Sequence, residues 1–220
     1  MTPLALRYRE VQQRIERAAH RQGRSPQDVL LVVVGKGRPV EALSALYDLG
    51  HRDFGENRAK ELAAKADRLP GDISWHFIGP LQTNKVRLVR PVTTLLHSLD
   101  RRSLAEAWMK GPGRPPPALL QINIGREPQK LGIDPDAAAQ VVAEFLALGV
   151  PLTGLMAIPP LGETPEDSRP YFRRMAEMAG SLRASFPQVA SLSMGMTDDF
   201  EVAIEEGATV IRLGRAIFPD

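Results

Sequence analysis

The feature that most constrains this chain is a repeated alternation of short apolar runs with helical segments. The runs are 29–34, 52–54, 74–78, 94–97, 118–124, 152–158, 191–194 and 209–213. The first seven are followed by segments with helical spacing or helical end signals at 40–49, 57–69, 82–89, 101–110, 135–148, 165–186 and 198–206. Strands and helices that alternate at this spacing are joined by right-handed crossovers, which makes the sheet parallel. The first run, Leu30-Leu31-Val32-Val33-Val34, is apolar at every position, as a strand covered on both faces must be. Eight such units predict an α/β fold, a closed (β/α)8 TIM barrel. One more helix, opened by Thr2 and Pro3 and stopped by Gly23, would cover the position left vacant after strand eight. An open doubly wound sheet is the alternative. It would need a Gly-rich dinucleotide turn or a P-loop, and neither G-x-G-x-x-G nor G-x-x-x-x-G-K-[ST] occurs.

With 220 residues, 43% of them hydrophobic, the chain has enough apolar surface for one domain over 1–220. The proline-rich stretch 111–117 is too short to divide it. No run reaches membrane-spanning length, and the N-terminus reads as an amphipathic helix rather than a signal peptide, so a cytoplasmic protein with no membrane partner is expected. The absence of cysteine removes disulfides, thiolate nucleophiles and thiolate metal sites. The net charge of +2 does not argue for nucleic acid, and none is expected as a partner. Arg7, Arg9, Arg14, Arg17, Arg21 and Arg24 are interleaved with Glu10 and Glu16, the pattern of a solvated helix face.

A barrel of this kind builds its site at the carboxyl ends of the strands. The residues there are Lys36, Glu56, Asn57, His76, Gly79, His97, Ser98, Asn123, the Met156–Pro160 stretch, Ser193 to Thr197 and Arg212 to Arg215. Loops after strands seven and eight commonly hold phosphate. Gly195 and Gly214 would let backbone amides approach an anion, Thr197 would add a hydroxyl, and a helix beginning at Asp198 would add its first donors. Tight turns alone would also account for both glycines. Arg212 either faces the barrel, where it needs a partner, or points outward and is solvated. His76 and His97 read as hydrogen-bonded core residues rather than metal ligands, because no ligand spacing such as H-E-x-x-H is present.

Only six of the 28 basic residues are lysines. Lys60, Lys65, Lys85 and Lys110 fall on or beside helices and are expected to be solvated, and Lys130 falls in the polar loop after strand five. Lys36 stands apart, at the end of a buried strand. Partly desolvated there, its amine becomes nucleophilic toward carbonyls, as a Schiff base requires. A lysine opposite a phosphate cradle describes either a phosphosugar aldolase or a pyridoxal-phosphate site.

The chain resembles the YggS-type pyridoxal-phosphate homeostasis family, whose barrel is alanine-racemase-like. The resemblance rests on Val34-Gly35-Lys36 with Arg38-Pro39, Arg52-Asp53-Phe54-Gly55-Glu56-Asn57, and Trp75-His76-Phe77-Ile78-Gly79-Pro80-Leu81-Gln82-Thr83-Asn84-Lys85. His97-Ser98-Leu99-Asp100, Gly154-Leu155-Met156-Ala157-Ile158-Pro159-Pro160, Ser168-Arg169-Pro170-Tyr171-Phe172, Ser193-Met194-Gly195-Met196-Thr197 and Ile211-Arg212-Leu213-Gly214-Arg215-Ala216-Ile217-Phe218 complete it, in order along nearly the whole chain. The resemblance implies pyridoxal 5′-phosphate as cofactor, carried on Lys36 as an internal aldimine. It implies phosphate contacts near Ser193, Thr197 and Gly214, Arg212 facing the pyridine nitrogen, and Asn57 near the ring. It further implies a carrier or buffer of the cofactor without an established reaction. A monomer is expected, and apo-enzymes that require the cofactor are its candidate partners.

Three departures stand out. The family usually has serine before the lysine and threonine after it, where Gly35 and Gly37 stand here. Threonine usually follows the last glycine, where Arg215 leaves the backbone donor but removes a hydroxyl. Thr197 replaces the usual serine and keeps its hydroxyl. Arginine stays protonated, so Arg212 would leave the pyridine nitrogen unprotonated and the ring a poor electron sink. A racemase-like enzyme would also need a tyrosine base, and Tyr8, Tyr47 and Tyr171 all fall on predicted helices. A Schiff-base aldolase would need a proton shuttle such as Glu56 or Asp100. The sequence therefore favours a binding protein over an enzyme.

Overall fold

The computed structural model describes residues 2–218, so residues 1, 219 and 220 of the expected domain lie outside the described residues. Thr2 caps the first helix, α1 (Pro3–Arg21), by accepting a hydrogen bond from the Ala5 amide at 3.3 Å, and Gly23 turns the chain away at φ +63°. Eight parallel strands follow and close in chain order: β1 (Leu30–Val34), β2 (Asp53–Glu56), β3 (Ser74–Phe77), β4 (Thr93–Leu99), β5 (Ala118–Ile122), β6 (Leu152–Ala157), β7 (Ser191–Ser193) and β8 (Val210–Leu213). Pairing of Leu30 with Val210 and of Val32 with Arg212 joins the last strand to the first.

The outer helices are α2 (Val40–Asp48), α3 (Ala59–Ala66), α4 (Val86–Val89), α5 (Arg102–Met109), α6 (Ala138–Ala147), α7 (Arg169–Ser185) and α8 (Phe200–Glu205). Several are shorter than the sequence pattern predicts. The 82–89 segment is a 3-10 turn (Thr83–Lys85) and a single α-turn, and Pro91, which lacks an amide hydrogen, follows its end. The 165–186 segment likewise opens with a 3-10 turn, Pro165–Ser168. The fifth strand ends at Ile122, and Asn123 pairs instead with Ile133 of the following loop.

Alternation along each strand separates two interiors. Phe54 and Phe77 point outward and are fully covered, as are Trp108, Phe145, Phe172 and Phe200 on helices, so the main core lies between sheet and helices. Val32, His76, Met156 and Arg212 share the inward face, as their register shows. The barrel interior is thus partly polar.

Four of the six N-terminal arginines bond to the protein, while Arg9 and Arg17 are exposed as the sequence suggests. Arg14 pairs with Glu201 at 2.8 Å and stacks on Phe200, and Arg21 pairs with Glu205 at 2.7 Å. Arg7 donates to the carbonyl of Ile217, and Arg24 to those of Ile204 and Ala208. These bonds fasten α1 to α8 and to the end of the chain. Among the described residues no helix is long and apolar enough to cross a membrane, and no cluster of three or more His, Asp or Glu could hold a metal ion.

Candidate functional site

At the carboxyl ends of the strands lies an open cleft of about 1510 Å³. Of the residues that the resemblance or its departures tie to the cofactor, Lys36, Asn57, Thr197, Arg212, Gly214 and Arg215 line it. They come from the ends of β1, β2, β7 and β8, so the fold brings together positions up to 179 apart in number.

Lys36 occupies a turn two residues beyond β1 and is exposed. The expectation of a partly desolvated amine is therefore corrected. The turn Gly35-Lys36-Gly37, with Gly37 at φ +69°, lifts the side chain past the strand end into the open mouth. Among the described residues Lys36 Nζ has no protein partner, whereas the other cleft lysine, Lys130, is paired with Glu127 and donates to the Pro159 carbonyl at 2.9 Å.

Arg212 settles the choice left open by its sequence context. It points inward, is 5% exposed, and donates to the hydroxyl of Ser193 and, at 3.0 Å, to the carbonyl of Ala157. Burial lowers its pKa to about 10, against the opposing pull of Asp199, so it remains a cation at neutral pH. Ser193 does not line the cleft. It is buried beneath, between Arg212 and His97.

From Ser193 a chain of buried hydrogen bonds runs through the barrel. His97 Nδ1 lies 2.8 Å from Ser193 Oγ, His97 Nε2 lies 3.0 Å from His76 Nδ1, and His76 Nε2 lies 3.1 Å from Asp53 Oδ1. Its ends constrain its direction, because a guanidinium only donates and a carboxylate only accepts. With His97 neutral, one run satisfies every contact: Arg212 donates to Ser193, Ser193 to His97, His97 to His76, and His76 to Asp53. Burial first, then the neighbouring His76 and Arg212, holds the pKa of His97 well below its usual value, which agrees with that assignment. The sequence reading of both histidines as hydrogen-bonded core residues holds, but it did not connect them to Arg212. The available signal was the inward parity of His76, His97, Ser193 and Arg212.

The loop after β7 turns through Gly195 at φ +94°, where an added Cβ would come 2.5 Å from Ala203 Cβ. Asp199 Oδ1 accepts from the Met196 amide at 2.7 Å, and its Oδ2 accepts from Ser168 Oγ at 2.9 Å. The helix expected from Asp198 begins at Phe200 and has six residues. Arg215 turns its guanidinium to Asp198 at 2.7 Å on the exposed rim, a pair of little energetic weight. Asn57 presents a buried Oδ1 with no hydrogen-bond partner among the described residues. An unpaired buried acceptor is costly unless a ligand donor meets it.

One sequence expectation fails beside β2. Lys65 is not solvated: it is 5% exposed, because Leu62, Lys65 and Leu69 share the face of α3 and its extension that packs on the sheet. Glu56 is no proton shuttle for the cleft, since its side chain is buried on the outward face of β2 and pairs with Lys65 at 2.6 Å. Burial raises the pKa of Glu56 to about 6 despite the ammonium beside it. No tyrosine lines the cleft among the described residues. Tyr8 bonds to His51, Tyr47 to Asp72, and Tyr171 lies on α7.

Residues 8–220 match the family described as alanine racemase, N-terminal domain. The chain is 40% identical over 218 residues to a protein of Aquifex aeolicus named pyridoxal phosphate homeostasis protein, with 96% of each chain covered. A protein of the same name from Escherichia coli K12 is 39% identical, with 99% of this chain and 97% of the other covered. Among solved structures, PipY of Synechococcus elongatus with pyridoxal phosphate bound has 34% identity and a TM-score of 0.78, covering 93% of this chain and 99% of that one. An alanine racemase of Clostridium difficile, 14% identical with a TM-score of 0.73 and 57% of its length covered, shares the fold.

Proposed function

The chain belongs to the family of pyridoxal phosphate homeostasis proteins, and from that membership we propose that it binds pyridoxal 5′-phosphate at the barrel mouth and holds it for transfer. The observation that carries this reading is the unpartnered amine of Lys36 in a cleft that also presents Arg212, the unpaired oxygen of Asn57, Thr197 and Gly214. That donor set fits the cofactor: a primary amine for its aldehyde, a hydroxyl and close backbone for its phosphate, and a fixed cation for its ring. When bound, the group supplies an aldehyde to which an unprotonated primary amine adds with loss of water.

Lys36 delivers Nζ from its turn. Thr197 and the backbone at Gly214 and Arg215 would hold the phosphate, while Ser193 holds Arg212. Arg212 would offer the ring a fixed cation that can donate a hydrogen bond but cannot take a proton. Asn57 accepts from, or donates to, the ring's polar edge. With only a fixed cation to offer the ring nitrogen and no tyrosine lining the cleft among the described residues, the residues suit storage and release better than proton transfer at carbon. On this reading the barrel acts as one domain, and enzymes lacking the cofactor are its recipients.

Thr197→Ala is expected to weaken binding of pyridoxal phosphate about tenfold in an absorbance titration, the worth of one hydrogen bond to a charged group. Unchanged affinity would remove Thr197 from the site. The transfer claim is tested with an apo-enzyme that needs pyridoxal phosphate. Loaded protein should activate it faster than loaded protein treated with borohydride, and equal activation would refute transfer from Lys36.

A further inference from the structure

Beneath the cleft, one buried ammonium and one carboxylate oxygen grip the peptide groups on both sides of Lys36. Lys65 Nζ donates to the Gly35 carbonyl at 2.7 Å, to Glu56 Oε1 at 2.6 Å and to Glu61 Oε1 at 2.8 Å. The same Glu61 oxygen accepts from the Gly37 amide at 2.7 Å. The Gly35 carbonyl also receives the Arg38 amide at 2.9 Å, which closes the turn. All three ammonium protons of Lys65 are thereby used, as a lysine this deeply buried requires.

From these contacts we infer that Lys65, acting with Glu61 and Glu56, is a positioning residue that fixes the Lys36 turn and so aims Lys36 Nζ into the cleft. The inference rests on the cofactor reading for its purpose, but the clamp itself is a statement about the unliganded protein. Lys36 is exposed and has no partner of its own among the described residues, so its backbone is what the protein can hold. The two glycines fit the device. A Cβ on Gly35 would lie 2.9 Å from Glu56 Oε1 and 3.0 Å from Leu43 Cδ2, crowding the carboxylate out of its seat. Gly37 adopts φ +69°, a left-handed conformation that favours glycine, and its amide donates to Glu61. The replacement of the family's usual hydroxyl residues at these positions thus accompanies a turn held from below. Glu61 is 21% exposed and Lys65 6% by side chain, and neither lines the cleft, so the clamp holds the Lys36 turn from behind the lining residue Gly37.

The test uses Glu61→Ala, which removes the shared acceptor from a half-buried position, and Glu61→Gln, which keeps an acceptor oxygen. Hydrogen exchange of the 35–38 amides is measured on the unliganded protein. Two further measurements are the rate at which pyridoxal phosphate becomes reducible onto Lys36 and the affinity for pyridoxine 5′-phosphate, which has ring and phosphate but no aldehyde. In Glu61→Ala, exchange should quicken about tenfold and covalent capture slow about tenfold, while pyridoxine phosphate affinity stays within about twofold. Glu61→Gln should restore both rates, and Lys65→Met should repeat the losses if it folds. Unchanged exchange in Glu61→Ala, or parallel loss of pyridoxine phosphate binding, would overturn the positioning role. If the wild type itself takes no label on Lys36, the cofactor reading fails while the exchange result still decides the clamp.

Discussion

Glu56→Leu is expected to destabilise the barrel by about 3 kcal/mol, measured by urea unfolding at pH 7. The substitution removes one of two carboxylates from a buried ammonium and leaves Lys65 with only Glu61 and the Gly35 carbonyl. Removing one partner of a buried ion pair typically costs about 3–5 kcal/mol, and the lower end applies because Glu61 remains. Adding Lys65→Met should recover most of the loss, since the pair as a whole contributes little beyond what a matched apolar pair would. A double variant as unstable as the single one would show that the pair itself, and not the stranded charge, carries the stability.

The same carboxylate has a pH signature. Its folded pKa of about 6 lies above its unfolded value, so the folded state binds the proton more tightly. Its contribution is greatest in acid and is lost as pH rises from about 4.5 through about 6. Glu56→Gln, which cannot ionise, should therefore gain on the wild type by about 2 kcal/mol between pH 4.5 and 7. The neighbouring Glu61 shifts the other way: burial works upward, but hydrogen bonds from Lys65 and the Gly37 amide outweigh it. A gap between wild type and Glu56→Gln that does not change with pH would contradict the assignment.

The second large effect is acid instability from His97. Fully buried and held neutral, it is protonated far more readily unfolded than folded, so stability is lost as pH falls below about 6.5. Each unit below that value costs up to about 1.4 kcal/mol until the folded ring takes the proton. His51, also lowered chiefly by burial, adds in the same direction, whereas Glu56 opposes it. The His97 share is isolated with His97→Gln, which keeps a donor and an acceptor but does not titrate. Its unfolding free energy should fall less steeply between pH 6.5 and 5 than that of the wild type. Identical slopes would mean that His97 does not carry the penalty.

The barrel was legible because periodicity and end signals are local. Runs such as 30–34 and stops such as Gly23 do not depend on distant residues. The cleft was legible in outline because a barrel places every strand end at one mouth. What failed was burial of charge, which depends on register and on neighbouring elements. Lys65 reads as solvated from its residue type, and only the packing of α3 on β2 shows that it faces Glu56. Ser193 could be assigned to strand seven, but not turned away from the cleft, until its bonds to Arg212 and His97 were seen. Alternation could put His76 and His97 on the inward face, but the β3–β4 register shifts between Trp75 and His76, so their pairing could not be read from sequence.

On the proposed function Lys36, alone among six lysines, is the covalent anchor. This is tested by incubating the protein with pyridoxal phosphate, reducing with borohydride and mapping the modified peptide. One reduced adduct is expected, on Lys36, and it should disappear in Lys36→Ala. An adduct on Lys60, Lys85 or Lys130 with Lys36 unmodified would contradict it.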